Sequence, residues 1–500
     1  KVGTTDKSGV LTTSKFKTAQ DVKLYAQDAD GNRSFVYTTK CYPAGGSADG
    51  KPQFVTLNAV KKSDTQKKIT WMSTPGVSEK KATARIAAKS EYDKNKEDAF
   101  KEYEGTCKLT TFDTKVAYSN RVDVQELHPD CEYVYQVGDG EKWSDVQSFT
   151  TTYNGQNTSL LIVGDTQASS ETGKQQIRDV LDSALKNSAT YDTVIQTGDF
   201  VESGNSYSDW NDILGAFENE AFKSTDMIHV IGNHETYGDD GTIAKNIFGH
   251  DDIDHYSVDY GNVYIAVLGY ASAEDKAKEN AEWLEKDASE SDAIWKIVVM
   301  HQPPYGTNAT DNSTDNVHKY LPAACDKAGI DFVFSGHDHS FARTQPMVNG
   351  QVDADGTVYY ICGSTGEKSY SVTPRDEYNF VVANRDFEGL YITADTTASH
   401  FKVTAYNKDG SIYDQYEKTK EICKNSLHEY EITEDNHLVC LNCGSSKRVT
   451  RDFVGVVYDQ KTGVARFIKD GDFETSKWIA NNEKTYYLDD KGYAVTGVNW

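Results

Sequence analysis

Between residues 158 and 406 the chain alternates short apolar runs with helical patterns. The runs are "SLLIVGD", "DTVIQTGD", "MIHVIGN", "VYIAVLGY", "WKIVVMH" and "DFVFSGHDH". Each reads as a buried strand that stops at a small or polar residue. Between them, Ile177, Val180, Leu181, Ala184 and Leu185 recur at helical spacing. So do Ala277, Ala281 and Leu284, and then Leu321, Ala324, Cys325 and Ala328. Strands alternating with helices predict an α/β layered domain. Cys325, on an apolar helix face, reads as a plain core thiol.

All of these runs except "VYIAVLGY" end in a residue able to hold a metal. Asp165 ends the first and Asp199 the second; Asn233 and His234 end the third. His301 ends the fifth, and His337 with His339 the last. Sites in open α/β sheets form at the carboxyl ends of strands, so chain order gathers these side chains at one edge. Taken singly, Asp165 reads as a helix cap, Asn233 as a turn and His301 as a strand-end histidine. The ordered set is hard to obtain by accident. Carboxylates mixed with imidazoles suit zinc, iron or manganese rather than calcium. One carboxylate shared by two ions would make a dinuclear centre.

The rest of the chain bounds the setting. A length of 500 residues exceeds one core and predicts three or more domains. A net charge of −25 disfavours a nucleic-acid partner, which needs clustered Lys and Arg. Mean hydropathy is −0.65 and no apolar run is long enough to span a membrane. No signal-peptide pattern follows Lys1, which is uninformative about export. In residues 1–45, "VKLYAQDADGNRSFVYTT" reads as a β-hairpin turning at "DADGN" and resembles the tail of an Ig-like β module, and "AGGSADG" reads as a linker. Residues 51–153 predict a β-sandwich with a charged, solvated insertion, "KSEYDKNKEDAFKEYEG". Cys107 and Cys131 can bridge there or remain separate thiols; the pairing of Cys41 is equally open. Residues 407–422 read as a linker, 423–447 as a small Cys/His module and 448–500 as β hairpins.

"GDTQ", "GDFVE", "GNHE", "VVMH" and "GHDH" together resemble the ordered blocks of the calcineurin-like metallophosphoesterases. The purple acid phosphatase branch is the most similar. The sandwich "PQFVTLN…KITWMST…ELHPDCEYVYQVGDGEKWSDVQSFTT", then "ENAEWLEKD" and "GHDHSFART", carry that finer likeness. The resemblance covers residues 51–406. It implies a fibronectin-like N-terminal sandwich followed by a four-layer α/β phosphoesterase domain with two metals, iron, zinc or manganese, bridged by Asp199. Metal one would take Asp165 and His339. Metal two would take Asn233, His301 and His337. His234 would steady the transferring phosphoryl group or protonate the leaving oxygen.

Two departures stand out. The superfamily carries a histidine where this chain has Gln167, and purple acid phosphatases carry a glycine there. They also place a tyrosine ligand three residues after the bridging aspartate, where this chain has Glu202. No tyrosinate-to-iron colour is therefore expected. Gln167 and Glu202 can each offer an oxygen to metal one, and for Gln167 a supporting role beside the ligands is equally open. The plant-type histidines after "VVMH" are missing, which leaves Tyr305, Asn308 and Arg343 as candidate substrate contacts.

In the C-terminal part, Cys423, His428, Cys440 and Cys443 have the spacing of a structural zinc site, with His437 an alternative ligand and a disulfide the rival reading. "KTYYLDDKGYAVTGVNW" resembles the wall-binding repeats of Gram-positive surface proteins, whose aromatics suit a cell-wall polysaccharide. The expectation is a secreted, wall-associated enzyme that hydrolyses phosphate monoesters by metal-activated hydroxide. The alternatives are a phosphodiesterase of the same superfamily and a non-catalytic adhesin or scaffold.

Overall fold

The computed structural model describes residues 3, 16–75, 81–153, 156–310, 312–420, 430–432, 437–440, 446–449, 454–459, 464–469, 472–481 and 484–495. In the central domain the apolar runs form two sheets lying face to face. One contains Ser159–Val163, Thr193–Gln196 and Asp226–His229 in parallel, with Leu390–Thr396 antiparallel beside the first. The other contains Val263–Leu268, Trp295–Met300, Phe332–Ser335 and Val358–Cys362 in parallel.

The runs are continuously apolar because each strand feeds two cores. Leu160 and Ile162 face the core between the sheets, with Ile297, Val299 and Phe334 opposite. Leu161 and Val163 face the helices Glu171–Asn187 and Tyr207–Ala216. Val298 and Met300 face Glu274–Ala288 and Asp315–Ala328. Side chains alternate across a strand, so a strand buried on both faces has no polar period. The result is a helix–sheet–sheet–helix stack of four layers. Ser170 caps the first helix by accepting from Gly173 N at 3.0 Å.

The structure changes one expected segment and shows how two domains join. The segment read as a linker, 407–422, contains the edge strand Ile412–Thr419, paired with His400–Asn407. Its polar alternation belongs to an edge strand with one solvated face. The N-terminal sandwich is also not a separate bead. Gln53–Asn58 pairs in parallel with Asp226–His229, so one ten-stranded sheet runs through both domains. The sandwich core is Leu57, Ile69, Trp71, Tyr135 and Phe149. The charged insertion forms the helix Lys89–Asn95, which buries nothing, and then the strand Lys101–Glu104, which pairs with Thr83–Ala88 rather than remaining a solvated loop. Cys107 and Cys131 are not disulfide-bonded, and both pack against the sandwich core.

At the N-terminal end, Gln20–Leu24 and Tyr37–Cys41 form the expected hairpin. At the other end the two expected modules share one sheet, because Tyr430–Ile432 pairs in parallel with Gly455–Asp459 across the boundary drawn at 448. Cys440 is buried there beside Leu438 and Ile468. Cys423, His428 and Cys443 lie outside the described residues. No helix among the described residues is long and apolar enough to cross a membrane.

Candidate metal centre

The carboxyl ends of the two sheets meet at one edge. The first sheet brings Asp165, Asp199 and Asn233; the second brings His301, His337 and His339. Four of these are held with left-handed backbone: Asp165 (φ 47°), Asp199 (53°), His337 (73°) and His339 (47°). Each such residue costs about 1 kcal/mol or more, and such strain concentrates at functional sites. The adjoining glycines give the space. A Cβ at Gly198 would collide with the His301 ring, and one at Gly336 would press on the Asp165 carboxylate.

Two ligand clusters share Asp199. Asp165, Asp199 and His339 form one, and Asp199, His301 and His337 the other, with the ligand atoms of each within 4.8 Å of one another. In the second, His301 donates from Nδ1 to Thr197 O at 3.0 Å. Its Nε2 in the neutral ring is then a lone pair. It lies 3.0 Å from Asn233 Oδ1 and 3.2 Å from both Asp199 Oδ2 and His337 Nδ1. Asn233 turns its amide NH2 outward to Tyr237 Oη at 2.8 Å, so its oxygen faces inward. Lone pairs converging in a buried pocket repel unless a cation sits among them, and this donor set fits one.

In the first cluster, Asp165 Oδ1 lies 3.5 Å from His339 Nε2. Gln167 Nε2 lies 3.1 Å from Asp199 Oδ2 and 3.2 Å from His339 Nε2. Gln167 Oε1 is buried with no partner. A half-turn of the terminal amide exchanges the two atoms and brings that orphaned oxygen onto the cluster.

Without a cation the same groups take up protons instead: burial opposes a charge on His301, but Asp199 holds its imidazole above the usual range. Burial pushes the Asp165 carboxyl well above the usual range, although His301 pulls it back. Burial also acts on Asp199, but His301 and His234 outweigh it and hold that carboxyl low. Burial pushes the His339 imidazole down to about 3. Cations in the clusters would ionise both carboxylates and keep the imidazoles neutral.

The sequence comparisons bear on the same residues. The chain matches "Calcineurin-like phosphoesterase" over residues 158–341 and "Purple acid Phosphatase, N-terminal domain" over residues 52–151. It carries a calcineurin-like phosphoesterase domain behind a purple acid phosphatase N-terminal domain. Its relatives include "Purple acid phosphatase 15" of Arabidopsis thaliana, 26% identical over 31% of this chain and 32% of that protein. "Acid phosphatase type 7" of Homo sapiens is 25% identical over 59% of this chain and 76% of the relative. The chain spans about a third or less of the plant relatives it matches first. A purple acid phosphatase from yellow lupin seeds shares the fold, with TM-score 0.65, 17% identity and 80% of each chain covered.

In the phosphoesterase domain His234 donates its backbone N–H to Asp199 Oδ1 at 2.9 Å. Its ring Nδ1 lies 2.6 Å from Glu202 O, which leaves Nε2 above Asp199. The carboxylate of Glu202 joins neither cluster; it pairs with Lys368 at 2.9 Å. Two of the three substrate contacts expected from sequence, Tyr305 and Arg343, are corrected. Tyr305 is buried in an aromatic core against His318, Tyr359 and Tyr378. Arg343 is taken by Asp414 at 2.7 and 3.0 Å and lies over Tyr416. Its strand position aims it at the edge hairpin. Asn308 accepts from Thr310 within its own turn.

Sequence reasoning missed Glu235. Its buried carboxylate accepts from the backbone N–H of Asp199, Phe200, Val201 and Gly232 at 2.7–3.1 Å, and so joins two ligand loops. Burial and the charge of Asp199 push its pKa up to about 7 despite those bonds. Its place in "GNHE" was the available signal. Lys368 and Tyr370, in a stretch with no apolar period, carried none.

Proposed function

We propose that this chain hydrolyses phosphate esters, monoesters first, at a dinuclear centre bridged by Asp199. The single observation that carries the reading is the sharing of Asp199 between two clusters of lone-pair donors. Asp165, His339 and Gln167 would hold one cation, and Asn233, His301 and His337 the other. Two bound cations neutralise phosphoryl oxygens and make water nucleophilic at moderate pH. The chain's own residues supply the rest. Thr197 O fixes the His301 tautomer, and Glu235 fixes the loops of Asp199 and Asn233. His234, held by Glu202 O, presents Nε2 to the departing alcohol oxygen and can give it a proton.

The metal-loaded chain is expected to hold about two ions and to turn over p-nitrophenyl phosphate faster than bis(p-nitrophenyl) phosphate. A chelator should stop turnover, and zinc, manganese or iron should restore it. Turnover that survives complete chelation would overturn the reading. With iron bound, the absorption spectrum should lack a visible tyrosinate band, because Glu202 pairs with Lys368 where a phenolate would be needed. A purple protein would refute that point.

Secretion and wall attachment form a second part of the proposal. Trp478 and Tyr487 sit directly across the hairpin Lys477–Asn481/Lys484–Leu488 with rings 5.0 Å apart, and Trp478 is 45% exposed. Such a pair suits the faces of a sugar chain. The full chain should co-sediment with Gram-positive wall polysaccharide, and Trp478→Ala should weaken this about tenfold. Equal sedimentation of the variant would remove the hairpin from that role.

A further inference from the structure

Two aromatic rings flank the metal centre. Among the described residues of the phosphoesterase domain, including its edge strand, the exposed large apolar side chains are Tyr237, Val352, Tyr370, Val381 and Ile412, and the two tyrosines are the aromatic ones. Both tyrosines lie on imidazoles of the site. Tyr237 is 48% exposed with its ring 4.8 Å from that of His234. Tyr370 is 46% exposed with its ring 4.5 Å from that of His339. Half-exposed aromatics would otherwise be scattered over the domain, and here the pair is confined to the two ends of the ligand set.

Both rings are held in place. Tyr237 Oη accepts from Asn233 Nδ2 at 2.8 Å, and Asn205 N donates to Tyr237 O at 3.2 Å. The loop bearing Tyr370 is anchored at three points. Glu367 accepts from the Ser169 and Ser170 N–H groups at 3.0 Å, Lys368 pairs with Glu202, and Tyr370 N donates to His339 O at 3.3 Å. Rings ordered before binding cost little entropy when a ligand stacks on them.

Resting on the phosphoesterase reading, we propose that Tyr237 and Tyr370 form an aromatic wall that selects phosphate esters whose organic part is a flat ring. The phosphoryl end would lie at the clusters and beside His234. The ring would extend over the tyrosines, which are one side-chain layer further out. Tyr237 meets the site through Asn233 and the His234 ring, and Tyr370 lies on the His339 ring, so the role is positioning and specificity.

The test uses the full metal-loaded chain and two non-hydrolysable probes, phenylphosphonate and methylphosphonate, with binding read by calorimetry. The wild type should favour the phenyl probe about fivefold or more. Tyr370→Ala should erase most of that preference, and Tyr370→Phe should keep it. The kcat/KM ratio of phenyl phosphate over glycerol 2-phosphate should fall in parallel, since intrinsic ester reactivity cancels between variants. An equal fall for AMP would extend the wall to a nucleobase; an unchanged AMP rate would confine it to aryl esters. Equal binding of both phosphonates by the wild type, or a preference untouched by both Tyr370→Ala and Tyr237→Leu, overturns the wall and leaves the phosphoesterase standing. Failure of both probes to bind, with no ester turned over, overturns both readings.

Discussion

Asp199→Asn is expected to lower kcat/KM for p-nitrophenyl phosphate by about a thousandfold or more while the chain stays folded. Asparagine keeps the shape but offers one oxygen and no charge. The lost charge matters because the site is dry: Asp199 is 1% exposed, and Asp165, His301 and His339 are equally enclosed. Removing it strips both clusters of their shared ligand and leaves His301 facing no anion at 3.2 Å. Bound metal should fall from about two per chain to about one or fewer. His234→Ala makes the contrast. It touches neither cluster as a ligand, so it should keep both metals and lose about a hundredfold in rate. Wild-type turnover by Asp199→Asn with full metal content would refute the bridging role.

Lys67→Met is expected to destabilise the chain by about 3–5 kcal/mol, which is large for a substitution far from the metals. Lys67 and Asp226 form an ion pair whose side chains are each 1% exposed. Lys67 lies on the sandwich strand Lys67–Ser73, and Asp226 begins the central strand Asp226–His229. Tyr260 Oη also donates to Asp226 at 3.0 Å, and the Lys67 ammonium lies over the Phe149 ring at 5.4 Å. Met fills the space of the lysine stem but leaves Asp226 buried with no cation. Lys67→Met with Asp226→Leu should recover much of the loss, because a buried pair replaced by apolar groups is often neutral. Urea unfolding should show the sandwich and the phosphoesterase domain weakening together, since they share one sheet. Separate transitions, with only the sandwich shifted, would show that the seam carries little coupling.

The two predictions draw on opposite kinds of information. Asp165, Asp199, Asn233, His301, His337 and His339 could be chosen from a single chain because each follows an apolar strand, and parallel strands deliver their ends to one edge. That rule needs only local pattern and order. The layered fold was legible for the same reason, as was the hairpin near residue 30. The edge strand Ile412–Thr419 was not, since its polar alternation looks like a linker until His400–Asn407 pairs with it. Arg343 looked like a cation free for phosphate, and Asp414, 71 residues later, claims it.

The candidate ligands at strand ends were therefore legible in the chain alone, because backbone periodicity and chain order suffice to collect them. The seam through Lys67 and Asp226, the four N–H groups held by Glu235, the pairing of Glu202 with Lys368 and the two tyrosines at the rim belong to the folded chain alone. Each joins segments distant in sequence through the direction of one side chain, and no local period encodes that direction.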